Sequence, residues 1–378
     1  MADGEVGGIA DERFAAVREK FAQNLADGTD IGASFCVTRD GETVIDLWGG
    51  WADEERTRPW EKDTIVNVYS TTKTMTALTA LLLADQGKLD FDAPVAEYWP
   101  EFAASGKEAI KVSHLMSHSA GLAGWTDPLD KQDLYDWEKA TSLLAAQAPM
   151  WEPGTVPGYH ALTQGYLVGE VIRRIDGRSV GTVFREEIAG PLGADFHIGL
   201  PASEDDRVAH LKPPPVAGLG SAAQTEIQRV AFEHPTIDVS ETRTRAWRGA
   251  EIPAAGGTGN ARSIATAQSI LANGGVMNGK RFLSEAGCRK ALECQVEGTD
   301  LVLGIPVRFG LGYGLSGPMS PALNESSMFW GGYGGSIVLI DMQNRLTIAY
   351  AMNRMEGTTT GDMRAITLAA LVWQAMAG

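Results

Sequence analysis

Apolar side chains at Phe14, Val17, Phe21 and Leu25 recur three and four positions apart and stop at Gly28, which predicts an amphipathic helix over residues ~11–26. The pattern then changes to near-continuous apolar and β-branched runs at 31–38 and 42–48. Between them stands Arg39-Asp40-Gly41, whose residues tolerate the left-handed backbone of a tight hairpin. A further extended run, 64–69, leads directly into a helical pattern carried by Met75, Leu78 and Leu82 and ended by Gly87. From Ser70 to about Leu271 the periodicity is mainly helical, broken at Pro94, at 125–128 and at 151–154. The segment 212–220 holds Pro213, Pro214, Pro215, Gly218 and Gly220 and reads as an irregular loop, of the kind that overhangs a binding site. Strand patterns return at 307–314, 328–330, 336–341 and 345–351. A closing helix, capped at Asp362, carries Met363, Ile366, Ala370, Trp373 and Met376. Strands at both ends with helices between predict an α/β fold of the α+β kind, with one antiparallel sheet flanked by terminal helices. The sheet domain is expected from 1–75 and 250–378, the mainly helical domain from 76–249, and a site at their interface.

Composition narrows the function classes. With 378 residues, 44% of them hydrophobic, the chain buries a full core in one or two domains. A net charge of −16 with no basic run argues against nucleic acid or an anionic membrane as partner, because phosphate binding needs clustered Lys and Arg. No stretch approaches the ~20 apolar residues that a membrane span requires. Because the start, Met1-Ala2-Asp3-Gly4-Glu5-Val6, lacks the basic and apolar regions of a signal peptide, a cytoplasmic location is expected. Cys36, Cys288 and Cys294 have no metal-like spacing and are expected as reduced thiols. No cofactor or metal is expected.

Candidate chemistry begins at Ser70-Thr71-Thr72-Lys73, where strand meets helix. Positions three apart share a helix face, so the Lys73 amine can stand beside the Ser70 hydroxyl. A serine needs such a neighbour to become a nucleophile, and a helix N-terminus supplies N–H donors and positive potential where an oxyanion would form. As a bare pattern it equally describes an N-capping serine with a solvated lysine. Further on, the turn-rich loop 152–158 delivers Tyr159 just ahead of another helical pattern. A phenol serves as a proton shuttle when a cation stabilises its phenolate, and Lys73 offers one. Trp330-Gly331-Gly332-Tyr333 then places glycines on a strand, where they mark a bulge or a close backbone approach such as a substrate would make.

The order of S-x-x-K, a tyrosine after a Pro-Gly loop, and a Gly-rich strand resembles the serine β-lactamase and penicillin-binding-protein superfamily over nearly the whole chain. The resemblance is strongest at 69–73, 114–122, 159–170 and 330–332, and is closest to class C β-lactamases and family VIII carboxylesterases. It implies a serine hydrolase with Ser70, Lys73 and Tyr159 as catalytic residues and the backbone N–H groups of Ser70 and Tyr333 as oxyanion donors. It also implies substrate contacts at Tyr69, Trp330, Gly331 and Gly332, with Trp125 and Trp151 as further candidates to line an acyl cleft. Two departures point to the esterase branch: the lactamase Tyr-x-Asn reads Tyr159-His160-Ala161, and the Lys-Thr-Gly motif reads Trp330-Gly331-Gly332. Without the amide and the cation, a site favours uncharged, apolar acyl groups. The expected activity is therefore hydrolysis of short-chain esters of small molecules, with β-lactam hydrolysis at most weak. The alternatives are a β-lactamase, a D-amino-acid peptidase or transesterase of the same fold, or a non-catalytic binding protein.

Three other motifs compete for attention. Gly177-Arg178-Ser179-Val180-Gly181 satisfies G-x-S-x-G, but a helix rather than a strand precedes it, with Gly177 as its stop. His114 and His118 are four apart in a helical pattern without the acid of a metal motif. Gly256-Gly257-Thr258-Gly259 lacks the lysine of a phosphate loop and reads as a loop entering a helix, which the resemblance puts near the pocket.

Overall fold

The computed structural model describes residues 5–215, 225–317, 320, 323–359 and 361–377. Its N-terminal part supplies three strands, β1 (Val6–Ala10), β2 (Gly32–Arg39) and β3 (Glu42–Gly50), with α1 (Ala15–Ala26) between the first two in the chain and β3 paired between β1 and β2. Asp40 and Gly41, at φ 53° and 84°, close the β2–β3 hairpin in the left-handed region their sequence anticipates. Phe14, Val17, Phe21 and Leu25 are all buried, as their spacing requires.

The middle of the chain is built around α2 (Thr72–Asp85), which is buried at every position from Thr72 to Leu83. A helix enclosed on all sides belongs to the core, and α2 packs against α3 (Thr163–Asp176) and α4 (Ala261–Ala272). Gly177, at φ 83°, ends α3 as a left-handed cap. The C-terminal part supplies β4 (Val296–Thr299), β5 (Pro306–Phe309), β6 (Gly314–Leu315), β7 (Ser327–Gly331), β8 (Ile337–Asp341), β9 (Leu346–Met352) and α5 (Met363–Ala377). These strands and the three N-terminal ones form one antiparallel sheet in the order β1-β3-β2-β9-β8-β7-β6-β5-β4. β2 and β9 join its halves, with Phe35 opposite Tyr350 and Cys36 opposite Ala349. α4 packs on β2, β8 and β9, and α1 packs against α5. The mixed fold with an antiparallel sheet and flanking helices is the one the strand and helix pattern predicts.

Several elements differ from their sequence expectation. The run 307–314 is two strands, because Gly312 turns at φ 89° and brings its backbone so close to α2 that an added Cβ would lie 2.3 Å from that of Ala77. β1 and β4 are short, Gly-containing strands without a usable alternation. Only Val66–Asn67 of the run 64–69 is ladder, paired to Thr258–Gly259. The helix carrying His114 is Val112–Met116, so His118 lies beyond its end at φ 60°. In α5 the buried side chains are Arg364, Ala365, Leu368, Ala369 and Val372, while Met363 and Ile366 of the apolar stripe are 72% and 38% exposed. Arg364 turns inward to a pair of carboxylates and so rotates the face. All three cysteines are free thiols. Of the loop 212–220, residues 216–220 lie outside the described residues. Among the described residues no helix is long and apolar enough to cross a membrane.

Candidate active site

The entry to α2 is bent. Tyr69 has φ 44°, an outlier for a bulky residue, and it is held there by Asn67, whose Oδ1 accepts the Tyr69 N–H at 3.2 Å. Asn67 Nδ2 in turn donates to the Ala255 carbonyl at 3.1 Å. This kink presents Ser70 in the first turn, where helical N–H groups have no partner four residues back.

Lys73 Nζ lies 3.2 Å from Ser70 Oγ, and its other two partners are the carbonyls of Ala161 at 2.7 Å and Ala254 at 3.0 Å. The side chain is fully buried, and burial holds its pKa well below the ordinary lysine value. Nζ donates to both carbonyls and to the serine oxygen, which fixes the amine against Ser70.

On the other side of Ser70, Tyr159 Oη donates to Oγ at 2.5 Å. Burial raises the tyrosine's pKa, so the resting group is a phenol. The loop that carries it is tied from three directions. Its N–H goes to Oδ1 of buried Asp300 at 3.0 Å, and that oxygen also accepts the N–H groups of Val302 and Leu303, each at 2.8 Å. The Gly158 N–H donates to the His118 carbonyl at 2.9 Å, and the His160 N–H to His118 Nδ1 at 3.1 Å. His160 Nε2 accepts from Leu122 at 3.0 Å, which places its proton on Nδ1, facing the Gly158 carbonyl at 2.5 Å. Burial pushes His160 down to about 4 and His118 well below its usual value, so both rings are neutral struts. His118 stacks on Trp330, centroids 5.3 Å apart.

The third segment is the end of β7. A Cβ on Gly332 would lie 2.2 Å from the Val68 carbonyl oxygen and 2.4 Å from Ser336 Oγ. Ser336 Oγ donates to that carbonyl at 2.9 Å and lies 2.9 Å from Thr71 Oγ1. The β7–β8 turn is thus stitched to the 68–71 turn, and Tyr333 stands against Tyr69 with ring centroids 5.5 Å apart. Ser70, Tyr159, Tyr69, Tyr333, Trp247 and Phe232 line a cavity of about 360 Å³. Pro213 and Pro214 overhang it, as the loop pattern suggested.

Several expectations need correction. Trp125 is a core residue: its Nε1 donates to the Ala140 carbonyl at 2.9 Å and its ring packs edge-on against Tyr166. Trp151 bonds the Val156 carbonyl at 3.1 Å and abuts His160, bracing the Tyr159 loop without lining the cavity. Trp330 and Gly331 keep a place at a cavity, the neighbouring one that Tyr159 also lines, whereas the close approach that Gly332 permits is to the 68–71 turn. Ser179 caps a short helix and donates to Glu251 at 2.5 Å, and the element before it is α3 with its Gly177 cap, not the strand that a nucleophile elbow needs. His114 is bonded by the Lys111 N–H, and among the described residues no group of three or more His, Cys, Asp or Glu is placed to hold a metal ion. The glycine loop at 256–259 braces α2 through the Gly257 N–H to Thr72 Oγ1, 2.9 Å. Asn67, Asp300 and the carbonyls of Ala161 and Ala254 escaped the sequence reading, for a lone side chain or a backbone oxygen leaves no pattern.

The chain has known relatives. Residues 17–372 match the beta-lactamase family. The chain belongs to that family. It is 36% identical over 369 residues to the esterase/beta-lactamase LipL of Mycobacterium tuberculosis, covering 93% of this chain and 83% of the relative. A solved family VIII carboxylesterase is 42% identical, with a TM-score of 0.92 over 98% of this chain and 100% of that one. A penicillin-binding-protein homologue from Caulobacter crescentus superposes equally well, with 38% identity, a TM-score of 0.92 and the same coverage of 98% and 100%. Like its beta-lactamase-family relatives, the protein is an enzyme, a hydrolase.

Proposed function

We propose that the enzyme hydrolyses short-chain carboxylic esters of small molecules through a covalent acyl intermediate on Ser70. The observation that carries this reading is the single hydroxyl held between Lys73 Nζ and Tyr159 Oη at the mouth of a buried helix. Lys73, as the neutral amine, takes the Ser70 proton while Oγ attacks the ester carbonyl. The backbone N–H groups of Ser70 and Tyr333 receive the oxyanion. As the intermediate collapses, Tyr159 gives its proton to the departing alcohol oxygen, leaving a phenolate beside the new ammonium. Water then attacks the acyl-enzyme, Tyr159 recovers a proton from it, and Lys73 returns its proton to Ser70 as the acid leaves.

Esters are favoured over lactams because Ala161 and Trp330 stand where an amide and a cation would grip a lactam, and because the relatives described above include named esterases. Intact-mass analysis after exposure to an ester panel tests the reading. An acyl adduct is expected on the wild type and on Ser179→Ala but not on Ser70→Ala; an adduct on Ser70→Ala overturns it. Faster turnover of a chromogenic cephalosporin than of a short acyl ester would overturn the substrate ranking.

A further inference from the structure

Beside the catalytic cavity lies a second one of about 460 Å³, within the size range of small-molecule sites. Its walls include Val307 of β5, Phe329 of β7, Leu339 of β8, and Met363, Ile366 and Trp373 of α5. Arg308 is its single charged lining residue among those described. Among the described residues three large apolar side chains are strongly exposed, and two of them, Met363 and Ile366, stand here. Exposed apolar side chains gathered at a concavity mark a surface that a ligand covers. The two cavities share Tyr159 and Thr359, whereas Ser70 lines only the first.

That division assigns the halves of an ester. The acyl group becomes bonded to Ser70 and so stays in the first cavity. The leaving oxygen must reach Tyr159 to be protonated, and Tyr159 lines the second cavity as well as the first. Resting on the ester-hydrolase reading above, we infer that the second cavity receives the apolar alcohol half of the substrate. The substrate class is then a short acyl group on a long or bulky apolar alcohol.

The test compares kcat/KM for the acetates of ethanol, butanol, hexanol and octanol. Wild type should gain about two- to fourfold for each methylene that is buried. Ile366→Trp and Val307→Trp, which fill the cavity from opposite walls, should each lower the octyl-to-ethyl ratio at least tenfold. Both should keep the wild-type slope along p-nitrophenyl acetate to octanoate, where only the acyl chain grows. An octyl-to-ethyl ratio near one in wild type, or a changed acyl slope in the variants, overturns the assignment. Calorimetric titration of Ser70→Ala with 1-octanol separates this claim from the catalytic one. Binding that weakens at least tenfold in Ser70→Ala/Ile366→Trp supports the subsite even if esters are not turned over. Absence of octanol binding in an enzyme that does turn over esters sinks the subsite and leaves the hydrolase reading standing.

Discussion

Lys73 has two carbonyls and one hydroxyl around its amine, with the Tyr159 ring centroid 4.8 Å away, and among the described residues no carboxylate pairs with it. Burial favours the uncharged form, so the proton leaves at a pH well below that of an ordinary lysine. Activity that needs the free amine is therefore low in acid and rises with pH through this depressed ionisation, reaching its plateau before the ordinary lysine range, near ~10.4, begins. A pH profile of kcat/KM checks this, and an inflection only in the ordinary lysine range would contradict it. Tyr159→Phe removes the proton donor to the alcohol while keeping the ring that packs near His118 and Trp330. Its kcat should fall by about 10²–10⁴, as for loss of a general acid, with KM much less affected. At this scale Ser70, Lys73 and Tyr159 were legible because residue type and order announce them. Asp300, which fixes the backbone of Tyr159, was not, because an isolated aspartate in a turn has no periodicity to betray it.

Elements decide where these residues meet. The tight turn 69–71 runs directly into α2 and so brings Ser70 beside Lys73, while β7 ends against the 68–71 turn because Gly332 has no side chain. Gly332→Ala would push a methyl into the Val68 carbonyl and Ser336 Oγ, forcing the two turns apart. The expected cost is about 1–3 kcal/mol of stability, with a loss of turnover because Tyr333 shifts relative to Ser70. Urea unfolding and kcat measured on the same preparation check it; unchanged values for both would refute the stitched-turn account. Helix and strand periods located most elements correctly. They failed where a long-range contact overrode them, as when Gly312 folds against Ala77 and splits the run 307–314.

The whole molecule closes around one buried charge cluster. Arg364 of α5 bonds Asp30 before β2 at 2.9 Å, pairs with Asp362, and donates to the Gly334 carbonyl just beyond Tyr333 at 3.0 Å. Tyr350 of β9 donates to the same Asp30 at 2.5 Å. One side chain therefore joins the first part of the sheet, the last helix and the turn that carries Tyr333. Arg364→Met strands two buried carboxylates, and a loss of about 3–5 kcal/mol is expected in denaturant unfolding. A loss below about 1 kcal/mol would show that the cluster is not what holds α5 to the sheet.

By itself, the order of amino acids determined the mixed fold, most helices and strands, the hairpin at Asp40-Gly41, and the three side chains most suited to acyl chemistry. These follow from interactions between residues a few positions apart or from the chemistry of a single residue type. Only the tertiary structure decided the cage around Lys73, whose carbonyl partners lie 88 and 181 positions away in the chain. It also decided the inward turn of Arg364, the packing of Trp125 into the core, and the two cavities that meet at Tyr159. Each of these depends on which distant surfaces come within a few ångströms of one another, and that is settled when the chain packs.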